Sequence, residues 1–352
     1  MPPAGVFLNP SDADFAAYEE APLALTWQRA GGSDLAAWQE KVRAKLREML
    51  GTVTPSGDPS PVAGAAGSAS GGLSRQTYYL PTAPRRHAAV TVVWNPRYAG
   101  QALPVMLCLQ GHTSGAHISW GQALLPEDRQ RIDNGGDFAI QAVRQGHVAV
   151  CIEQIAFGER REQALAHRWD HTCIDASNRA LLLGRTVLGD RIADVAAVID
   201  WLRSLPPDFP ALNTARIRAM GNSAGGETAL YTAALDRRIE GVIASGCVGA
   251  WRKTSGARKT CPDTVIPGVL NWIEFSDVLA LCAPRPLLVV SGLTDHIYPF
   301  RLASECAEEA RLAYAALGAG NRLRALSGPG GHRFYPEVAW PAFLSLLEPP
   351  AS

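Results

Sequence analysis

Long apolar runs are missing from this chain: none reaches the roughly 18 residues that would suggest a membrane span. Excess charge of either sign is missing too. Thirty-three Lys and Arg balance thirty-three Asp and Glu, which removes the electrostatic ground for nucleic acid or an anionic membrane as partner. The start, Met1-Pro2-Pro3-Ala4-Gly5, has no basic segment followed by an apolar one, so no secretory leader is expected. Seven cysteines are scattered without C-x-x-C spacing. An odd number in apolar surroundings argues for a reducing, cytoplasmic setting rather than a disulfide framework.

Metal signatures are lacking as well. His167-Arg168-Trp169-Asp170-His171 has two histidines four apart, but no H-E-x-x-H and no evident third ligand, and reads as a polar insertion. Asp133-Asn134-Gly135-Gly136-Asp137 lacks the ligand ladder of a calcium loop and reads as a turn. No metal and no cofactor are expected. There is no internal repeat and no signature of oligomeric state.

What is present is a chain of 352 residues, 47% hydrophobic and 19% charged. That suits one large α/β domain with an ample core, or at most two domains. Residues 1–32 show little periodicity and read as an irregular arm. A helix follows, capped by Ser33 or Asp34, with Leu35, Trp38, Val42, Leu46 and Leu50 on one stripe and Gly51 as its stop. Residues 54–72 are almost all Pro, Gly, Ala and Ser and read as a flexible surface loop. The expected division is therefore 1–72, an N-terminal arm, helix and loop packed on the rest, and 73–352, a catalytic domain. From residue 88 onward apolar strands alternate with amphipathic helices, which implies a mainly parallel sheet covered on both faces.

The most informative stretch is Arg216 to Gly226. A short apolar strand runs into Gly221-Asn222-Ser223-Ala224-Gly225 and on into a helix-compatible segment from Glu227 to Leu235. The pattern G-x-S-x-G between strand and helix describes a nucleophile elbow, whose neighbours must be small because the turn is tight. A serine hydroxyl needs a base within hydrogen-bond reach, itself oriented by a carboxylate. In open parallel sheets such groups gather beyond the carboxyl ends of strands. Asp295, just after the run Leu287–Ser291, is placed to be the acid, although an Asp there also serves as a turn residue or helix cap. His332, in a Gly-rich loop after the last strand, is placed to be the base, and its alternative is a surface-loop histidine.

An oxyanion formed on attack needs N–H donors. The expected pair is Ala224 N–H and a donor from the Gln110-Gly111-His112-Thr113 loop, with His112 the first choice. Residues 247–273 form a long irregular excursion read as a lid or specificity segment. Its Trp251 and Trp272, with Trp169 in the other insertion, are candidates to stack on substrate, although core packing is the commoner fate of such rings. Glu159, after a strand, is a candidate for the pocket rim, with a structural ion pair as its alternative.

With these residues in place, the chain resembles the α/β-hydrolase superfamily, and within it the bacterial esterases grouped with acetyl xylan esterases and dienelactone hydrolase-like proteins. Gln110-Gly111-His112, Phe157-Gly158-Glu159-Arg160, Gly221–Gly226, Ala283-Pro284-Arg285-Pro286 and Gly331-His332-Arg333 carry the resemblance. It implies an α/β-hydrolase fold with an N-terminal helical extension and a serine carboxylic-ester hydrolase working through an acyl-enzyme on Ser223. The substrate would be a small or medium ester, with acetylated carbohydrate among the candidates. Dienelactone hydrolases proper carry Cys at the elbow, and Ser223 departs from them. Two other readings stand beside this one. A serine peptidase of the prolyl-oligopeptidase type has similar triad order, but too few residues precede the core strands here for a propeller. A non-catalytic binder on the same fold is the other.

Overall fold

The computed structural model describes residues 6, 8–30, 34–51, 53–56, 60–162, 172–205, 212–254 and 261–348. Three helices, α1 (Pro10–Glu19), α2 (Trp27–Ala30) and α3 (Leu35–Leu50), precede β1 (Val62–Ala69), β2 (Leu73–Ala83) and β3 (Arg86–Trp94). Then follow β4 (Leu103–Leu109), α4 (Pro126–Arg131), α5 (Phe138–Arg144), β5 (Val148–Ile152), α6 (Thr172–Leu182) and α7 (Val187–Ser204). The remainder is β6 (Leu212–Asn222), α8 (Ala224–Leu235), β7 (Ile239–Ser245), α9 (Trp251–Thr254), α10 (Phe275–Ala280), β8 (Leu287–Gly292), α11 (Phe300–Ala316), β9 (Leu323–Gly328) and α12 (Pro336–Leu347).

Among the described residues the strands form one sheet in the order β1-β2-β3-β5-β4-β6-β7-β8-β9. The first three strands and their junction with β5 are antiparallel. From β5 to β9 every pairing is parallel. Short turns can join only the antiparallel strands, while helical crossovers return the chain for parallel pairing.

Side-chain alternation divides the core between the two sheet faces. Val105, Leu107 and Leu109 of β4 face a layer made by α3, α7, α8 and α11, whereas Met106 and Cys108 face α5 and α12. Because both faces are covered, the central strands read as unbroken apolar runs rather than alternating ones.

Helix α3 is tied to this core by polar side chains as well as by its stripe. Arg43 is buried and donates from Nε to Ala234 O (2.8 Å) and from Nη2 to Leu281 O (2.6 Å). Gln39 Nε2 donates to Ala280 O and Ala283 O, both at 3.0 Å, and Arg47 Nη2 to Leu235 O at 2.7 Å. These donors meet carbonyls at or just beyond the carboxyl ends of α8 and α10, where backbone donors run short and positive charge is favoured. The cap of α3 is Asp34, whose Oδ1 accepts from Ala36 N; Ser33 lies outside the described residues.

Two expectations need correction. Residues 1–32 are not irregular throughout, since α1 and α2 lie within them. Helix α1 buries no side chain, so it has no apolar stripe to betray it; Asn9 as cap with Pro10 in the first turn is the signal that was there. Residues 54–72 are not simply a loop, because β1 pairs with β2 as the sheet's edge. Its Ala, Gly and Ser side chains have little strand preference, and backbone hydrogen bonding to β2 supplies what they do not.

Candidate active site

Strand β6 ends at Asn222 and α8 begins at Ala224, leaving Ser223 alone in the turn. Its backbone sits at φ 56° and ψ −130°, a region that costs a non-glycine residue about 1–3 kcal/mol. Ser223 N–H donates to Ser245 O (2.8 Å) and Ser223 O accepts from Glu227 N (3.0 Å), so the strained turn is held from both sides. Close approach explains the small neighbours. A Cβ on Gly221 would come within 2.3 Å of Gly225 O, and one on Gly225 within 2.1 Å of Leu109 O. Any side chain at either position would push the elbow off the sheet.

The acid and base loops leave β8 and β9, the last two strands, and are stitched to each other. Leu293 N–H donates to Gly328 O (2.9 Å) and Thr294 N–H to Gly330 O (3.0 Å), while Tyr335 OH donates to Gly331 O (2.6 Å). His332 Nδ1 lies 2.8 Å from Asp295 Oδ2. The other carboxylate oxygen of Asp295 accepts from Ile297 N (2.8 Å) and Tyr298 N (2.9 Å), which fixes its plane. Burial alone would raise the Asp295 pKa, but the bond from His332 and these two N–H groups outweigh it and hold the carboxyl below its ordinary range. Ser223 and His332 line one cavity of about 550 Å³, a volume suited to a small or medium ligand.

The structure thus brings Ser223, Asp295 and His332 to one rim of the sheet. Ala224 and His112 line the same cavity, Ala224 as the first residue of α8, where N–H groups point outward and favour negative charge. The loop carrying His112 is braced from below. Gln110 Nε2 donates to Ser119 Oγ (2.8 Å) and Gly136 O (2.7 Å), Gln110 O accepts from Gln154, and His112 O accepts from Arg131 Nη1 at 3.1 Å. Farther along, Asp128 accepts from Ser114 and from Leu124 and Leu125 N–H, and its Oδ2 lies 3.0 Å from His117 Nε2. Burial opposes ionisation of Asp128, yet these bonds bring its pKa down to about 2.

Of the four residues expected at the substrate, the three that the structure describes sit elsewhere. Trp251 packs edge-on against Phe275 with ring centres 5.1 Å apart, and its backbone N–H donates to Glu274 Oε1. Trp272 lies under Lys45, whose Nζ is 4.2 Å from the ring centre. Both rings extend the apolar layer beneath α8 and α11, the commoner outcome for large rings. Glu159 accepts from Tyr79 OH at 3.4 Å, away from the cavity, and the neighbouring Arg160 pairs with Asp194 at 2.7 Å. Trp169, with His167 and His171, lies outside the described residues. The 247–273 excursion does reach the cavity, but through Cys261, Pro262 and Thr264.

Sequence reasoning passed over Tyr298 and Glu227. The Tyr298 ring stacks on His332 (centres 6.0 Å apart, 22° between planes), and its hydroxyl donates to the buried Glu227 in the first turn of α8. The Asp295 side chain accepting N–H groups two and three residues on is an Asx-type turn, and that turn was the available clue that Tyr298 would be carried into the site.

A strained serine between a parallel strand and a helix, with an Asp–His pair on loops from later strands, has the layout of an α/β-hydrolase fold. A model of the Abhydrolase family matches residues 22–310, and the chain belongs to that family. It is 26% identical over 233 residues to "Putative hydrolase YtaP" of Bacillus subtilis (strain 168), an alignment covering 65% of this chain and 73% of that one. Its fold is shared with a "putative acetyl xylan esterase" from Bacteroides fragilis NCTC 9343, with a TM-score of 0.75, 18% identity and coverage of 97% and 86% of the two chains. A glucuronoyl esterase from Solibacter usitatus superposes with a TM-score of 0.65 and 15% identity over 88% of this chain and 90% of that one. Among the described residues no helix is long and apolar enough to cross a membrane.

Proposed function

We propose that this chain hydrolyses small or medium carboxylic esters through an acyl-enzyme on Ser223. The observation that carries the reading is the Asp295–His332 hydrogen bond on the same cavity as a strained Ser223. Asp295 accepts the Nδ1 proton of His332, which leaves Nε2 free to take the Ser223 proton as Oγ attacks the acyl carbonyl. The carbonyl oxygen becomes an oxyanion, met by Ala224 N–H and by the His112 N–H of the β4 loop. His332 then protonates the departing alcohol, and water, activated by the same imidazole, releases the acid and restores Ser223.

The part of the 247–273 excursion around Cys261–Thr264 acts as the specificity wall, and residues 1–72 brace the catalytic domain rather than forming a second active unit. Acetylated xylo-oligosaccharides are the first natural esters to try, given the names of the neighbours in fold.

The test is turnover of p-nitrophenyl acetate and butyrate by the natural chain beside Ser223→Ala, with peptide substrates as a second panel. An acetyl group trapped on the Ser223 peptide and detected by mass spectrometry is the expected intermediate. Equal turnover by Ser223→Ala would remove the serine from the mechanism, and cleavage of peptides in preference to esters would replace the reaction class.

A further inference from the structure

The β4 loop carries a second cluster whose chemistry the ester mechanism does not use. His112 Nε2, Cys173 Sγ, Cys261 Sγ and a carboxylate oxygen of Asp263 all lie within 4.8 Å of one another. His112, Cys173 and Cys261 line the catalytic cavity, and Asp263 lies fully buried behind them. They come from the β4 loop, the start of α6 and the turn at Pro262–Thr264, so no local spacing announces them. His112 Nε2 is 3.4 Å from Asp263 Oδ2, and the two sulfurs are 2.6 Å apart.

We propose that these four side chains form a zinc site in the cavity wall. Two sulfurs, one imidazole nitrogen and one carboxylate oxygen are the donor types and the number that a closed tetrahedral zinc site takes. Charge supports the same assignment. Two thiolates and a carboxylate exceed a divalent cation by one negative charge, and buried Arg191, with Nη1 2.7 Å from Asp263 Oδ2, supplies the balancing positive one. Arg191 is itself held, donating from Nη2 to Ile155 O at 2.8 Å and lying over the Phe157 ring, as groups behind a metal ligand commonly are.

A disulfide between Cys173 and Cys261 is the rival use of the same sulfurs, and two observations favour the ion. A disulfide leaves His112 Nε2 and both Asp263 oxygens buried without a hydrogen bond of good geometry, with only the ion pairs from Asp263 Oδ2 to Arg191 (2.7 Å) and His112 (3.4 Å), whereas a cation gives the imidazole nitrogen and a carboxylate oxygen a shared partner. It also leaves unexplained why an imidazole and a carboxylate converge on the sulfurs. The ion needs the sulfurs to part to roughly 3.7 Å, the span of two Zn–S bonds of about 2.3 Å at a tetrahedral angle. The consequence for the enzyme is positional: the ring of His112 becomes anchored to α6 and to the 261–264 turn, so the backbone N–H next to Ser223 is fixed by a cross-link to the specificity wall.

The experiment is elemental analysis of the full chain purified under reducing conditions, beside Cys173→Ser/Cys261→Ser and Asp263→Asn. About one zinc per chain is expected, released on mercurial modification of the thiols and absent from the double variant. Cobalt(II) exchanged into the natural chain should show a thiolate-to-metal charge-transfer band that the double variant lacks. Zinc content unchanged in the double variant, no zinc in the natural chain, or a Cys173–Cys261 disulfide in its peptide map would each overturn the site. If the double variant fails to fold, Asp263→Asn decides, with a several-fold faster loss of zinc to a chelator expected and an unchanged rate overturning the assignment. None of these readouts depends on ester turnover, so failure here is distinguishable from failure of the serine mechanism.

Discussion

The rim that carries Ser223, Asp295 and His332 and the second wall of the cavity are built on different principles. On the rim, Ser223, Asp295 and His332 each stand within one short turn of the end of β6, β8 or β9. Their positions are inherited from a sheet whose central strands are buried towards their carboxyl ends. On the wall, Cys173, Cys261 and Asp263 come from excursions between core elements, and their mutual placement depends on side chains meeting each other. A sheet fixes groups through backbone hydrogen bonding, so the rim is rigid before any ligand arrives; a wall of loops needs a cross-link of its own.

Substitutions on the two sides should separate these principles. The largest effect belongs to Ser223→Ala, with kcat on p-nitrophenyl acetate falling by about 10⁶ if serine and imidazole act as a unit. A loss below tenfold would dissolve the contrast. Asp295→Asn follows, with kcat down on the order of 10⁴ and little change in KM, because the wrong imidazole tautomer is favoured while the geometry survives; near-full activity would point to a different carboxylate. Tyr298→Phe removes the hydroxyl bonded to buried Glu227 and should cost about 1–3 kcal/mol of stability. That loss is read as a lowered Tm, with kcat falling far less than in Asp295→Asn. Glu159→Gln marks the bottom of the scale, with stability within about 0.5 kcal/mol and esterase kinetics unchanged, because its contact to Tyr79 lies at the surface. A KM shift of tenfold in that variant would restore Glu159 to the cavity.

The same contrast explains what could be read from the chain alone. Apolar runs with helices between them specify a parallel sheet, and residues just past strand ends then have nowhere to go but its rim. The placing of Ser223, Asp295 and His332 just past the ends of β6, β8 and β9 was legible for that reason. Trp251 and Trp272 were misplaced because their sequence positions, in an excursion, carry no information about which way the excursion faces; both rings turn towards the core layer. His112, Cys173, Cys261 and Asp263 have no periodic or motif relation, and only folding brings them together. The edge strand β1 was hidden by its composition, since a strand of Ala, Gly and Ser shows no alternation and is defined by its partner β2.

Helix α3 has a consequence for how the chain must come together. Arg43 finds its acceptor on Leu281 238 residues later, and the helix packs against α7 and α8, which also follow it in the chain. Until those elements are made, the apolar stripe of α3 has nothing to pack against. Docking of α3 closes the carbonyl end of the helix that starts at Ala224, next to Ser223. A chain that stops short of residue 281 leaves the Leu281 acceptor of Arg43 unmade, and the loops that carry Asp295 and His332 come later still.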